Sequence, residues 1–264
     1  MSAPMPSTPP APVERELPLR VRLSMYLRML AIQGSWNYEI LLGNGVGFCV
    51  EPALRLLPGG AGGPAYRAAL ARQCQYFNAH PYLASVAVGA LARAELDGEP
   101  PARIERFRTA LCGPLGSVGD RLVWAGWLPF CSLLALVVYG LGGDAPLVLL
   151  TFLGFYNAGH LALRAWGLSV GWERGTRVAQ ALGNPVLRQG PQYIGRAAAL
   201  MAGVALPLAL YRIIGEGRAL TGGVLLSVGA GAVLLARLHG RVEGWRLALG
   251  VLAAFVLYSV ARHG

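Results

Sequence analysis

The sequence contains no lysine, so every side chain that is always positively charged is an arginine. The 23 arginines exceed the 13 acidic residues and give a formal net charge of +10, yet charged residues make up only 14% of the 264 residues. Apolar residues make up 55%, and the mean hydropathy is +0.48. This scarcity of charge excludes an ordinary soluble domain and is typical of a membrane protein.

Cysteine and histidine are also scarce, with four of each. The cysteines show neither a CxxC motif nor paired spacing, which excludes a thiolate zinc site and a disulfide framework. The histidines form no cluster with the spacing of metal ligands. We therefore predict no metal ion and no cofactor, with free cysteines that fill apolar space.

Uncharged apolar runs predict an all-α, polytopic helical membrane protein. A helix needs about 18 or more such residues to cross a bilayer, and we count about five spans. They are residues 122–143, 145–163, 197–211, 219–236 and 247–261, of which the third and fifth are short. The predicted organisation is a tail over 1–14, an N-terminal region over 15–120 and a transmembrane region over 121–264.

The positions of the arginines predict an orientation. Five lie in residues 93–121, five in 164–196 and three in 237–246, whereas the alternate segments hold few. By the positive-inside rule, the N-terminal half faces the cytoplasm of a bacterial inner membrane and the C-terminus lies outside. Nucleic acid needs a clustered, solvated basic face, so we expect a lipid bilayer as the partner and no nucleic acid.

The N-terminal region begins with a proline-rich stretch that lacks the apolar core of a secretory signal, so we expect residues 1–14 to be a disordered cytoplasmic tail. Residues 17–30 alternate as in a strand, but Leu19, Leu23, Leu27 and Leu30 also line one helical face. The helix is favoured because apolar residues continue beyond this segment and no partner strand is near. Such an amphipathic helix would lie at the cytoplasmic membrane surface.

Two further apolar segments, 40–57 and 82–92, are too short or too interrupted to span a bilayer. Each is about half a bilayer long at the helical rise of about 1.5 Å per residue, so we predict re-entrant hairpins. Between them, residues 58–64 predict a flexible turn and residues 65–77 a helix. A polar helix is expected over about 102–111.

Three polar, glycine-containing motifs precede the long apolar runs. They are Gln33-Gly-Ser-Trp-Asn-Tyr-Glu39, Tyr76-Phe-Asn-Ala-His-Pro81 and Gly113-Pro-Leu-Gly-Ser-Val-Gly-Asp120. Amides, carboxylates and interrupted backbone are costly in a bilayer unless they line a cavity or meet a ligand. The motifs therefore predict a membrane site for a polar solute.

These motifs, with Trp124 and a fourth segment from Phe155-Tyr-Asn157 through Arg164 to Gly175, resemble the IID component of the mannose/fructose/sorbose-type sugar phosphotransferase system. Their order and spacing match as well, so that the likeness covers roughly residues 20–180. Three features depart from the family pattern: Arg121 after Asp120, the missing arginine before Pro129, and a shorter region after residue 190.

The resemblance implies a membrane subunit that forms a translocation channel with a IIC partner in a hetero-oligomer. Soluble IIA and IIB phosphocarrier proteins would pass phosphate to the incoming hexose, so the chain is not an enzyme by itself. The departures favour an alternative, a diverged membrane scaffold or regulatory subunit that keeps the fold and the IIC contact without transporting sugar.

The motif residues suit a sugar ligand. Amides donate and accept hydrogen bonds as hydroxyls do, and an indole can cover the apolar face of a pyranose. The candidate substrate-binding residues are Gln33, Trp36, Asn37, Asn78, His80 and Asp120. Each has an alternative: Trp36 can anchor at the interface, the asparagines can satisfy backbone, and Asp120 can pair with Arg121.

Other polar residues have structural interpretations. Glu39 is expected to pair with an arginine such as Arg72, and His80 to position Asn78 rather than carry phosphate. His160 lies within an apolar run and is either functional or bonded to a neighbouring helix. The segment 113–120 lacks the Lys-Ser/Thr ending of a phosphate loop; its glycines permit an unwound entry or a close helix contact.

Overall fold

A computed structural model describes residues 16–178, 183, 185–214 and 222, and this part of the chain is helical, with isolated bridges in place of strands. The helices are α1 (Leu19–Met29), α2 (Gly43–Leu54), α3 (Pro64–Gln73), α4 (Ala84–Leu96), α5 (Pro101–Gly119), a π-helix (Asp120–Trp127), α6 (Leu128–Gly140), α7 (Ala145–Arg174), a 3₁₀ turn (Gly175–Arg177) and α8 (Pro185–Ile214). The all-α prediction is confirmed for the described residues.

Segment 17–30 forms a helix, as predicted, but the buried side of α1 is not the leucine face. Met25 and Met29 are fully buried, whereas Leu19, Leu23 and Leu27 are 78%, 53% and 54% exposed. Tyr26 anchors the helix to α7 by donating a hydrogen bond to the carbonyl of residue 161 (3.1 Å). The leucine face is thus left free on the surface of this chain.

Segments 40–57 and 82–92 each contain one helix, and neither folds back on itself as a hairpin would. Re-entry of these segments into the membrane stays a prediction. Both helices are almost entirely buried. The glycines of α2 face neighbouring backbone: a Cβ on Gly43 would collide with the carbonyl oxygen of Gln75, and one on Gly45 with that of Ile32. Glycine, which suggested interrupted backbone in the sequence, here permits close packing of a regular helix.

The crossing of α4 and α7 is the most extensive helix–helix contact among the described residues. A side chain on Gly89 would strike the carbonyl of Leu168, and one on Gly171 would strike that of Val86. Gly167, one turn before Gly171, leaves room for Ser85 in the same way. This is the small-residue packing that lets membrane helices approach backbone to backbone.

Two buried carboxylates tie the N-terminal helices together. Glu51 accepts hydrogen bonds from Arg28 and Arg55 and from the Tyr66 hydroxyl, at 2.7–2.8 Å. Glu95 accepts a bidentate pair from Arg72 at 2.9 and 2.7 Å, together with the Gln73 amide at 2.7 Å.

The pairing of Arg72 with Glu39 expected from the sequence is therefore wrong. The predicted turn 58–64 is confirmed: three of its glycines have positive φ angles, and α3 follows it directly.

Helices α5, π and α6 are continuous from Pro101 to Gly140. The glycine segment 113–120 is therefore helical and not unwound, and Gly119 instead makes a close contact with the Cβ of His80. The predicted polar helix 102–111 is the first half of α5. The π-helix, which places one more residue in each turn than an α-helix, lies where the polar half meets the apolar run.

Three helices are long and apolar enough to cross a membrane: Pro101–Gly140, Ala145–Arg177 and Leu187–Ile213. They contain the predicted runs 145–163 and 197–211 and most of 122–143, whose last three residues follow the end of α6. Each helix also extends beyond its run. The predicted spans 219–236 and 247–261 and the tail 1–14 lie outside the described residues, apart from residue 222.

Candidate functional site

A cavity of about 460 Å³ lies where the loops before α2 and α4 meet α5 and the π-helix. Its volume is within the usual range for a small-molecule site. The residues that line it are Gln33, Trp36, Leu42, Asn78, Ala79, His80, Pro81, Cys112, Gly113, Gly116, Ser117, Asp120 and Trp124. Five of the six predicted binding residues are therefore brought together from three separate motifs.

His80 is the buried polar group of this cavity, with only 2% of its surface exposed. Its Nδ1 accepts a hydrogen bond from the backbone N–H of Tyr82 (3.2 Å), which leaves the proton of the neutral ring on Nε2. Nε2 is buried and has no hydrogen-bond partner within the part of the chain that the structure describes. Burial, with a smaller contribution from the charge of Arg164, lowers the pKa of His80 from 6.5 to about 4. The ring is thus a neutral donor that lacks an acceptor.

Exposed polar and aromatic side chains complete the lining. Gln33, Asn78 and Asp120 are exposed, so their amides and carboxylate are free to meet a solute. Trp36 is 45% exposed and Trp124 is 44% exposed. The ring centroid of Trp124 lies 5.0 Å from that of His80. The lining therefore combines aromatic rings and polar groups with a few small apolar residues.

Asn37 does not line the cavity. Its Oδ1 accepts hydrogen bonds from the backbone N–H groups of Glu39 and Ile40, both at 3.0 Å, and so closes a turn. Leu41, which follows this turn, has a positive φ of 51°. Asn37 therefore has the geometry expected of its alternative role, in which the side chain satisfies backbone N–H groups.

The two motif loops are joined by backbone hydrogen bonds. The Leu42 N–H donates to the carbonyl of Phe77 (2.9 Å), and the Phe77 N–H donates to that of Ile40 (3.1 Å). Arg108 of α5 holds the second loop by donating to the carbonyls of Gln73, Gln75 and Tyr76 at 2.6–2.8 Å.

The sequence analysis missed the role of Arg108, counting it only toward membrane orientation. The sequence does contain a signal for its burial. Arg108 shares a helical face with Ile104, Leu111 and Leu115, all of which are buried. A charged residue on an otherwise apolar face indicates a buried partner, here the loop that carries Asn78 and His80.

A second polar cluster lies behind His80, on α7. The hydroxyls of Tyr82 and Tyr156 are 2.7 Å apart, and the ring of Tyr82 stacks on His160 with centroids 4.9 Å apart. His160 Nε2 lies 2.8 Å from Asn157 Oδ1, so its bond is made within its own helix and not to a neighbouring one. The guanidinium of Arg164 lies 4.4 Å from the Tyr82 centroid.

Metal chemistry gains no support in the described part of the chain. No group of three or more His, Cys, Asp or Glu residues there has the arrangement of a metal site. All four cysteines are free, and Cys49 and Cys131 are buried as expected of apolar fillers, whereas Cys74 and Cys112 are only partly covered.

The fold and the site define a polytopic helical membrane protein with a polar cavity beside its potential spans. The chain belongs to the PTS system mannose/fructose/sorbose family of IID components, because the model of that family matches residues 17–205. This confirms the resemblance seen in the motifs and extends it at both ends. The chain is thus a membrane component of a family of sugar phosphotransferase transporters.

Named relatives are similar over the same part of the chain. The fructose permease IID component of Bacillus subtilis is 30% identical over 193 residues, which are 69% of this chain and 68% of that protein. The mannose-specific EIID component of Escherichia coli is 29% identical over 171 residues, 62% of this chain and 59% of that protein. The sorbose-specific component of Klebsiella pneumoniae is 34% identical over 175 residues, which are 63% of this chain and 61% of that protein.

Solved structures share the fold. A chain of the mannose transporter ManYZ, determined in complex with a microcin, superposes with a TM-score of 0.56 at 21% identity. A second structure, described as a membrane protein, gives a TM-score of 0.68 at the same identity. Both matches cover 94% of this chain and 98% of the other.

Proposed function

We propose that this chain is the IID subunit that forms, with a IIC membrane subunit, the channel for uptake of a hexose in the bacterial inner membrane. Soluble IIA and IIB proteins would then phosphorylate the sugar. In this proposal the N-terminal region over 15–120 carries the sugar site, the transmembrane region follows it, and the complex is a hetero-oligomer.

The observation that carries the proposal is the cavity that contains His80, Asn78 and Gln33. A hexose offers hydroxyls that both donate and accept, so it can accept from His80 Nε2 and exchange hydrogen bonds with both amides. A buried donor without a partner costs about 1–3 kcal/mol. A sugar oxygen would remove that cost, whereas an apolar ligand would not.

The aromatic rings of the lining support the same class of ligand. Trp36 and Trp124 are each partly exposed at the cavity. An indole packs well against the C–H face of a pyranose while polar groups meet its rim. Asp120, exposed on the same helix as Trp124, adds an acceptor for sugar hydroxyls.

The arrangement favours binding over phosphoryl transfer at His80. A phosphorylated histidine needs a nucleophilic nitrogen within reach of a phosphoprotein. In His80, Nδ1 is occupied by the Tyr82 N–H, and Nε2 carries the proton and is buried. The phosphate donors in this proposal are therefore the soluble partners.

The spans support a membrane partner. The apolar part of α7 is not covered by the described part of the chain, and Asn157 lies exposed on it. An exposed amide is unfavourable against lipid tails, so a protein surface is a better neighbour for this side of α7. A IIC subunit would supply that surface.

Uptake measurements test the proposal directly. Cells that lack mannose-type permeases would express the IIC, IIA and IIB partners with and without this chain, and uptake of radiolabelled mannose, fructose and sorbose would be compared. We expect uptake and phosphorylation of at least one sugar only when the chain is present. If the chain co-purifies with IIC but none of the three sugars is taken up, the scaffold alternative is the better interpretation.

A further inference from the structure

Tyr82 connects the cavity to the interior of α7. On one side, its backbone N–H fixes Nδ1 of His80, and the two rings meet edge to face with centroids 5.0 Å apart. On the other side, its ring stacks on His160 and lies under the guanidinium of Arg164. Tyr82 does not itself line the cavity, so a shift of its ring acts on a ligand through the lining residues that it contacts. These are His80 and Trp124, whose ring centroid lies 6.0 Å from that of Tyr82.

Arg164 is a buried cation without an anion. Only 4% of its surface is exposed. Among the described residues, its Nε and Nη1 have no hydrogen-bond partner and no carboxylate forms an ion pair with it. Its guanidinium lies over the face of Tyr82. A buried, unpaired charge of this kind lowers stability. If Arg164 served packing alone, methionine would be as good or better at this position.

The guanidinium acts on the cavity in two ways. It holds the Tyr82 ring by a cation–π contact, which is stronger in a desolvated place than at a surface. Its charge also opposes protonation of His80, adding to the effect of burial on the pKa of that ring. Both effects keep His80 Nδ1 as the acceptor of the Tyr82 N–H and leave the proton of Nε2 for a ligand.

We propose that Arg164 is a positioning residue for sugar binding: through Tyr82 it holds His80 as a neutral donor at the cavity, without touching the sugar itself. The proposal rests on the proposed function, because it assumes that the ligand of His80 is a sugar. It connects α7, a potential span, to the binding site on the loop before α4.

Substitutions at position 164 test this connection in the complete complex. Arg164→Met removes the charge and keeps a long side chain, whereas Arg164→Lys keeps a charge that can also lie over a ring. We expect Arg164→Met to raise the sugar concentration for half-maximal uptake roughly 3- to 30-fold, with the maximal rate within about 2-fold of the original. Arg164→Lys should recover most of the affinity.

A matched control is available in the same chain. Arg212 also lies over a tyrosine ring, 4.3 Å from the centroid of Tyr139, near the far end of α6. Because it is remote from the cavity, Arg212→Met should leave half-maximal uptake unchanged. Equal losses in Arg164→Met and Arg212→Met would overturn the proposal, since they would reflect general damage to the spans.

A double-mutant cycle gives the decisive readout. If Arg164 acts through His80, then Arg164→Met should change half-maximal uptake by less than about 2-fold when His80 is already alanine. A full effect in that background would overturn the proposal. If Arg164→Met fails to assemble with IIC, the same cycle is run with Tyr82→Leu, which removes the ring and keeps the backbone donor.

The outcomes separate this proposal from the one on which it rests. Normal sugar uptake with neutral Arg164 variants overturns the positioning role and leaves the sugar site intact. Absence of mannose, fructose and sorbose uptake in an assembled, unmodified complex overturns the proposed function, and the positioning role with it.

Discussion

Asn78 and Asn37 carry the same side chain in different surroundings. Asn78 is exposed at the cavity, with its amide free. Asn37 has its oxygen occupied by two backbone N–H groups. The same chemical group is therefore available to a ligand in one place and part of the turn in the other.

Asn78→Ala should raise the sugar concentration for half-maximal uptake by about 5- to 150-fold. The reason is that a sugar hydroxyl loses its partner in a water-poor site, at a cost of about 1–3 kcal/mol. Asn44→Ala, which removes an exposed amide of α2 outside the cavity, is the control and should be neutral. Uptake in membranes with equal subunit levels would measure both.

Asn37→Ala should act on the turn instead, lowering the melting temperature of the complex more than its sugar affinity. Equal losses of affinity in Asn37→Ala and Asn78→Ala, without a change in melting temperature, would contradict this assignment and restore Asn37 as a ligand contact.

The buried imidazole of His80 should make the complex sensitive to acid. Its pKa is about 4 when folded and 6.5 when exposed. Between these values the unfolded state binds more protons, so stability falls as the pH falls from about 6.5 to about 4. The full shift corresponds to about 3 kcal/mol. Thermal melting at several pH values would show it, and His80→Gln, which does not titrate, should flatten this part of the profile.

Glu51 contributes in a lower pH range. Burial alone would raise its pKa, but hydrogen bonds from Arg55, Tyr66 and Arg28 lower the pKa below 4.5. Its stabilisation is therefore complete above about pH 4.5 and is lost only as the pH falls further.

The His80 prediction has a clear contrary result. If His80→Gln leaves the melting profile between about pH 4 and 6.5 unchanged, His80 is not the group that titrates there.

At the scale of helices, glycine decides the packing. Gly167 and Gly171 of α7 let its backbone touch that of α4 at Gly89. In a membrane the association of helices depends on such close contact more than on the hydrophobic effect. The position of His80 and Tyr82, just before α4, depends on this crossing.

Gly171→Ala should destabilise the protein by roughly 1–3 kcal/mol, because the added methyl group would collide with the backbone of α4. Gly154→Ala is the matched control on the same helix: its Cβ would meet nothing within 4 Å. Alanine also favours a helix by up to about 1 kcal/mol over glycine. Thermal melting in detergent should therefore separate the two variants, and equal melting temperatures would show that α4 and α7 do not meet in this way.

The sequence predicted where helices form better than it predicted how they pack against one another. Periodicity was sufficient for α1, and charge-free runs were sufficient for α6 and α7, because both signals lie within one segment. The buried side of α1 and the regularity of α2 depend on what packs against them, which periodicity does not contain. Glycine occurs both in unwound segments and in tight helix crossings, so its presence alone does not distinguish the two.

The sequence predicted which residues line the site better than it predicted the contacts that position them. Family motifs identified Gln33, Trp36, Asn78, His80 and Asp120, which the structure gathers in one cavity. Tyr82 was missed because a tyrosine beside a motif has no local pattern that indicates its contacts with distant segments. Arg108 lies on an apolar helical face of α5, which indicates a buried partner, but the sequence does not show that this partner is the loop that carries Asn78 and His80.

At the scale of the whole molecule, the three described potential spans alternate with arginine-rich and arginine-poor connections. We predict that the N-terminus and the 164–196 segment are cytoplasmic and the C-terminus lies outside. A reporter fused after the last residue and active only in the cytoplasm should be silent, while the same reporter at the N-terminus should be active. Activity at both ends would require an even number of crossings.

The 40 residues from Pro101 to Gly140 form a rod about 60 Å long, roughly twice the thickness of the hydrocarbon layer. In the proposed orientation, its polar half would stand in the cytoplasm and Asp120 would lie near the membrane surface. A sugar in the cavity would then already have crossed the hydrocarbon layer. The final step of uptake would then be a short release into the cytoplasm, within reach of a soluble enzyme that never enters the membrane.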